Sequence, residues 1–291
     1  MTEPLAIGLI GAGPWARMAT GPMLAAGPQT RLCGVWSRTA AHAQELGAEL
    51  RVRAFDDLDA LLDTCAAVAI VVTPAAQPDF AIRAARAGKT LLLEKPLGED
   101  VASAQRVVDA VEETGVGTLV MLTNRFDPRL PAFLAEATRI EPIGGRACFI
   151  SGAFLGGPFA HGWRLERGAV LDIGPHVLDM IEAAMGEIVS VQAAGDPLGW
   201  VSVNCTHASG ATSSVSMCCT AATPTGRTEV EVYSPAGVAL FDGRAVDREA
   251  RADRIRSDLV AVAGGAPHPA DAARVLHLQK LITEIEAQLG A

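Results

Sequence analysis

The sequence lacks several features, and each absence removes a class of function. No run of about 18 uncharged apolar residues is present, so no stretch reads as a membrane-spanning helix. No basic tract interleaved with aromatics occurs, and the formal charge is −9, which argues against a nucleic-acid partner. None of the six cysteines, Cys33, Cys65, Cys148, Cys205, Cys218 and Cys219, forms a CxxC pair. They are expected to be small buried hydrophobes in a reducing compartment, not zinc ligands or a disulfide framework. His161, His207 and His268 have no ligand spacing, so no metal site is expected. The opening Met1–Pro4 has no basic leader, which points to the cytoplasm. Repeats and low-complexity linkers are missing too. Lysine is scarce: Lys89, Lys95 and Lys280 are the only three in 291 residues.

What is present is a folded, globular composition, 49% hydrophobic and 20% charged. The first half alternates short apolar runs with helical stretches. Leu5–Ile10, Arg31–Trp36, Val68–Val72, Thr90–Leu93 and Thr118–Leu122 read as strands, with helices over Pro14–Ala25, Thr39–Leu46, Asp79–Ala87 and Val101–Glu113. Unalternating apolar strands suit a parallel sheet covered on both faces, so residues 1–123 are expected to form a doubly wound dinucleotide-binding domain. The second half changes character. Ala147–Ala153, Ile188–Ala194, Trp200–Thr206, Thr212–Thr220, Thr228–Tyr233 and Val238–Phe241 alternate or are β-branched, which predicts an antiparallel or mixed sheet with one open face. A helix is expected over His176–Met185, with two more near Asp253–Ala263 and Asp271–Leu289. In the last, Val275, Leu278, Ile282, Ile285 and Leu289 are spaced for one buried face that packs back onto the body. Residues 124–291 thus read as a second, α/β domain.

The chemistry-bearing residues fall into two groups. Gly11-Ala12-Gly13-Pro14-Trp15-Ala16 has the GxGxxA form between a strand and a helix, the context a dinucleotide turn requires. Gly11 suits the tight turn, Gly13 the approach of a pyrophosphate, and Ala16 close helix–sheet packing. After the second strand stand Ser37, Arg38 and Thr39 where NAD sites favour a carboxylate. A guanidinium there pairs with a 2′-phosphate, so NADP is favoured over NAD, and the bland alternative is a surface arginine. Lys95 follows the strand Leu91–Leu93 and Glu94, and precedes Pro96. That end of a parallel sheet gathers ligands, and an ammonium there favours a developing alkoxide. Further on, Asp172 and His176 lie four apart, near Gly174 and Pro175; the pair either shares a helix face or straddles a helix start. His176 suits proton transfer near neutral pH, Asp172 would orient it or contact substrate, and Asp179 is three residues beyond.

Together these segments resemble the glucose–fructose oxidoreductase, inositol dehydrogenase and rhizopine-catabolism (Gfo/Idh/MocA) family. The GxGxxA turn, Glu94-Lys95-Pro96, Gly168…Asp172-x-Gly174-x-His176, the Lys89–Gly98 region, Asn124-Arg125-Phe126-Asp127-Pro128 and His268-Pro269-x-Asp271 occur in the family's order. The resemblance implies a Rossmann domain followed by an α/β domain with a large, mostly antiparallel open sheet. It implies oxidation of a secondary alcohol of a sugar, polyol or related compound, or reduction of the ketone. Lys95, Asp172 and His176 match the catalytic positions. Gly11, Gly13, Pro14, Trp15, Ala16, Ser37, Arg38, Thr39, Thr73, Pro74, Glu94, Lys95 and Pro96 are expected against the cofactor. Arg125, Trp163 and Arg164 join Asp172 and His176 as candidate substrate contacts, although Trp163 and Arg164 fit a packed loop equally. A cis Lys95–Pro96 bond and a homodimer or homotetramer through the second sheet are further implications. The chain departs from the family's TPNxxH stretch: Thr73-Pro74-Ala75-Ala76-Gln77-Pro78 has neither the asparagine nor the histidine. Two other readings stay open, a cofactor-bound regulator without turnover and a glycoside hydrolase acting through transient oxidation by NAD.

Overall fold

The computed structural model describes residues 3–157, 159–160, 162–244 and 246–290. It divides into two units. One runs to Met121 and takes back Ala252–Leu276; the other comprises Leu122–Arg251 and the chain from His277 onwards.

The first unit is built on six strands: β1 Leu5–Ile10, β2 Thr30–Trp36, β3 Arg53–Phe55, β4 Ala67–Ile70, β5 Thr90–Leu93 and β6 Thr118–Val120. All pair in parallel in the order β3-β2-β1-β4-β5-β6. Every residue of β4, β5 and β6 is buried, the signature of a sheet sandwiched between helices. Those helices are α1 Gly21–Ala26, α2 Ala40–Leu50, α3 Leu58–Leu62, α4 Gln77–Arg86 and α5 Val101–Thr114. Strand order reverses between β1 and β4, which opens a crevice beyond their carboxyl ends. Before α1 the chain makes a π-turn over Ala16–Thr20 in which Gly21 N–H bonds the Ala16 carbonyl. Pro22 has no N–H to continue the tighter ladder, which accounts for the widened turn.

The second unit opens with a 3₁₀ turn, Thr123–Phe126, then α6 Leu130–Ile140, β7 Gly144–Ile150 and α7 Trp163–Met185. Strands β8 Ile188–Gly195, β9 Trp200–His207, β10 Thr212–Cys218, β11 Arg227–Ser234 and β12 Gly237–Asp242 complete a sheet ordered β12-β11-β7-β10-β9-β8. Only the β7–β10 pair is parallel. Val201, Val203, Cys205, Val215, Met217, Val230 and Val232 point into the core beneath α6 and α7. The alternate positions, among them Ser202, Asn204 and Ser214, leave the opposite face open, as the alternation predicts.

Helices α8 Arg248–Ala263 and α9 Ala272–Leu289 end the chain. Val275, Leu278, Ile282 and Ile285 of α9 are buried as the spacing predicts, and Leu289 is half-buried. Where the sequence reading assigned everything after residue 123 to the second domain, residues 252–276 pack within the first unit. The reason is visible at Arg256, whose buried guanidinium donates to the Met23 carbonyl at 2.9 Å and to Gln29 Oε1 at 3.1 Å.

The six cysteines carry no disulfide. Burial pushes the Cys65 and Cys205 thiols up to about 11, away from the thiolate a metal or a nucleophilic role requires. Among the described residues no cluster of three metal-ligating side chains occurs. His207 is occupied by the Gly186 carbonyl and Ser213, and His268 by Asp258 and Ala270 N–H. His161 lies outside the described residues. No helix among them is long and apolar enough to cross a membrane.

Candidate active site

The residues expected against the cofactor lie in the first unit, in the segments that follow β1, β2, β4 and β5. Gly11 follows β1 with φ +113°, and a Cβ there would overlap the Val71 carbonyl oxygen. Only glycine fits both the dihedral and the approach. At Gly13, by contrast, a Cβ would meet nothing within 4 Å. The two glycines therefore serve different needs: one closes the turn and the other leaves open space above it. That space, next to a helix beginning at Pro14, fits the diphosphate of a dinucleotide. Ala16 is fully buried against the sheet, as its small size suggests.

At the end of β2, Ser37 Oγ accepts from Thr39 N–H at 3.4 Å, and Arg38 is exposed to solvent. Trp36 before them packs edge-on against Phe80 with centroids 5.3 Å apart. Beyond β4, Thr73 is exposed and Pro74 buried; the Thr73 carbonyl accepts from Ala76 and Gln77 N–H and turns the chain into α4.

Lys95 and Pro96 follow β5 and are joined by a cis peptide, as the resemblance implies. The side chains of Trp15 and Gln77 hold this strand end. Trp15 Nε1 donates to Glu94 Oε1 at 2.8 Å, linking the glycine turn to the residue before Lys95. Gln77, buried to 1% exposure, donates through Nε2 to the carbonyls of Glu94 (2.7 Å) and Pro96 (2.9 Å), while its Oε1 accepts from Glu94 N–H at 3.0 Å. Sequence reasoning missed Gln77, because nothing in Ala75-Ala76-Gln77-Pro78 distinguishes a buried glutamine from a solvated one.

The second unit supplies the acid–base candidates from α7. The expected helix over His176–Met185 is longer, Trp163–Met185, and is broken once. Gly168 sits at φ 77°, ψ −167°, and a Cβ there would overlap the Pro197 carbonyl oxygen. Ala169 N–H bonds that same carbonyl at 3.2 Å as the helix restarts. From Ala169 the helix runs on through Gly174 and Pro175, which settles the choice left open by the sequence: Asp172 and His176 share one helix face. Both are 8% exposed. The His176 ring lies 6.1 Å from that of Phe149, and Arg164 Nε reaches Asp172 Oδ2 at 3.3 Å. The Arg164 guanidinium also lies over the rings of Trp163 (4.6 Å) and Phe159 (5.5 Å). Trp163, Arg164 and Asp172 thus form one cluster a turn away from His176.

Arg125 and Asp179, both weighed for the site, pair with each other. Arg125 places Nε and Nη2 on the two Asp179 oxygens at 2.5 and 2.8 Å, with side chains 10% and 1% exposed. This buried bidentate pair ties the 3₁₀ turn to α7. Nearby, burial would push the Asp127 carboxyl up, but hydrogen bonds from Arg129 and the charge of Arg251 hold it below the usual carboxylate range.

Comparison with known proteins accounts for both units. Residues 5–122 match the model described as the oxidoreductase family with an NAD-binding Rossmann fold, and residues 144–240 match the GFO/IDH/MocA C-terminal domain. UDP-N-acetylglucosamine 3-dehydrogenase of Acidithiobacillus ferrooxidans is 29% identical over 57% of this chain and 51% of its own length. The scyllo-inositol 2-dehydrogenase (NAD(+)) of Bacillus subtilis is 30% identical over 58% of this chain and 50% of its own. The chain therefore spans about half the length of the curated relatives it matches. In fold the agreement is complete in extent: the NAD complex of GenD2 from gentamicin A biosynthesis superposes with a TM-score of 0.85 at 20% identity, over 100% of this chain and 95% of that one. With residues 5–122 and 144–240 matched by the models of its two domains, this chain belongs to the Gfo/Idh/MocA family of oxidoreductases, whose N-terminal domain is an NAD-binding Rossmann fold.

Proposed function

We propose that this protein transfers a hydride between a nicotinamide cofactor and a secondary alcohol or ketone of a sugar, polyol or related small molecule. The observation that carries the reading is the placement of Asp172 and His176 on one buried helix face, in a chain whose first unit has the glycine geometry for a dinucleotide. Gly11, Gly13, Pro14, Trp15 and Ala16 would hold the diphosphate, Ser37, Arg38 and Thr39 the adenosine ribose, and Thr73, Pro74, Glu94, Lys95 and Pro96 the remainder. The bound nicotinamide supplies the redox chemistry. His176 takes the hydroxyl proton in oxidation and returns it in reduction. Lys95 supports the negative charge that develops on the substrate oxygen. Asp172 orients His176 or the substrate, and Trp163 and Arg164 bind substrate beside it. The names of the relatives, a nucleotide-sugar dehydrogenase and an inositol dehydrogenase, support a polyhydroxylated substrate. A panel of sugars and polyols, followed through the absorbance of the reduced nicotinamide, tests this; no response from any member with either cofactor contradicts it.

NADP is the preferred cofactor in this reading, because Arg38 is exposed where a carboxylate would repel a 2′-phosphate. In fluorescence titrations NADPH is expected to bind more tightly than NADH. Replacing Arg38 with alanine removes a charged hydrogen bond of about 1.5–3 kcal/mol, so NADPH affinity should fall about 10- to 100-fold with NADH unaffected. Tighter NADH binding by the unaltered protein contradicts the preference. The open face of the second sheet suits association into a homodimer or homotetramer, and six unbridged cysteines suit the cytoplasm.

A further inference from the structure

Gln77 is the first residue of α4, yet its side chain does not serve that helix. It reaches across to the segment after β5, with which it makes four hydrogen bonds: Nε2 to the carbonyls of Glu94 (2.7 Å), Pro96 (2.9 Å) and Leu97 (3.3 Å), and Oε1 from Glu94 N–H (3.0 Å). The strand has ended at Leu93, so these backbone groups lie beyond the sheet ladder. Buried backbone polar groups require partners, and here one amide serves both residues that flank Lys95. A carboxylate or a hydroxyl has no equivalent: the site needs two donors and one acceptor on a single planar group. On the other side Trp15 holds the Glu94 carboxylate.

We propose that Gln77 is a positioning residue for Lys95, fixing the backbone on both sides of it so that the ammonium is presented at a constant place. The proposal rests on the reaction role of Lys95 only for its kinetic consequence; the placement itself is measurable without turnover. Because the chain has only Lys89, Lys95 and Lys280, reductive methylation with carbon-13 formaldehyde gives three lysine resonances, and Lys95→Arg assigns one of them. Gln77→Ala and the near-isosteric Gln77→Glu, which keeps an acceptor but loses both donors, are compared with the unaltered protein. The expected result is that the Lys95 resonance moves to the solvent-averaged lysine position in both variants while those of Lys89 and Lys280 stay. With a substrate from the panel, kcat should fall about 10- to 100-fold and the cofactor KM should stay within about threefold, the pattern of a misplaced reacting group and not of lost binding. Should Gln77→Ala not fold, Gln77→Glu decides. An unmoved Lys95 resonance with kcat within about twofold overturns the proposal. If Lys95→Ala itself retains full turnover, the reaction role fails, and the resonance still decides whether Gln77 positions Lys95.

Discussion

Replacing His176 with alanine is expected to lower kcat by about 10²- to 10⁴-fold, the range a positioned proton-transfer group contributes. The imidazole sits on the restarted part of α7, almost wholly enclosed, one turn from Asp172. In the proposed mechanism its removal leaves the hydroxyl proton without an acceptor, while the glycine turn proposed to hold the cofactor lies in the other unit. Cofactor affinity should therefore stay within about threefold, and far-UV circular dichroism should be unchanged. His176→Asn, which preserves polarity but carries no proton near neutral pH, is expected to be as slow as alanine. Steady-state kinetics on both variants with one substrate checks this; turnover within about twofold of the unaltered protein would remove His176 from the mechanism.

The largest structural effect is expected at Gly168. Its φ of 77° with ψ of −167° lies in a region essentially reserved for glycine, at a cost of about 1–3 kcal/mol for any other residue. A methyl group there also overlaps the Pro197 carbonyl oxygen, which accepts from Ala169 N–H as the helix restarts. Since backbone cannot yield as a flexible side chain does, Gly168→Ala should cost about 3–5 kcal/mol in total, near the top of the range for single substitutions. Urea unfolding followed by circular dichroism measures the loss. A midpoint equal to that of the unaltered protein would mean that the loop containing Pro197 moves freely, and that Gly168 does not set where the Asp172–His176 helix begins.

Much of this arrangement was legible in the residues themselves. The apolar, unalternating runs of the first half become buried parallel strands, because a strand covered on both faces has no position to spare for polar residues. The alternation around Val201, Val203 and Cys205 identifies a sheet with one open face for the opposite reason. Short or weakly patterned elements escaped. Strand β3 is three residues long and carries Arg53, and α6 follows a proline-rich turn without a strong cap. The first part of α7 lies outside the helix expected from the sequence, because Gly168, Gly174 and Pro175 interrupt the helical pattern. Long-range polar pairing was not legible at all. Arg125–Asp179 and Arg164–Asp172 look like free charges in the sequence, and Gln77 looks like a surface residue, because a side chain's partner depends on tertiary placement and not on spacing. The return of residues 252–276 to the first unit belongs to the same class, since it depends on Arg256 finding the Met23 carbonyl.

The most direct measurement follows the hydrogen. An alcohol that emerges from the panel is prepared with deuterium on its carbinol carbon and incubated with the protein and oxidised cofactor, and the products are read by proton NMR. The label should appear at C4 of the nicotinamide, one per ketone formed, with a slower rate than for the unlabelled alcohol. Deuterium retained in the sugar, or a sugar cleaved with no net change in bulk cofactor, would show that this chain does not carry out the alcohol–ketone exchange assigned to it.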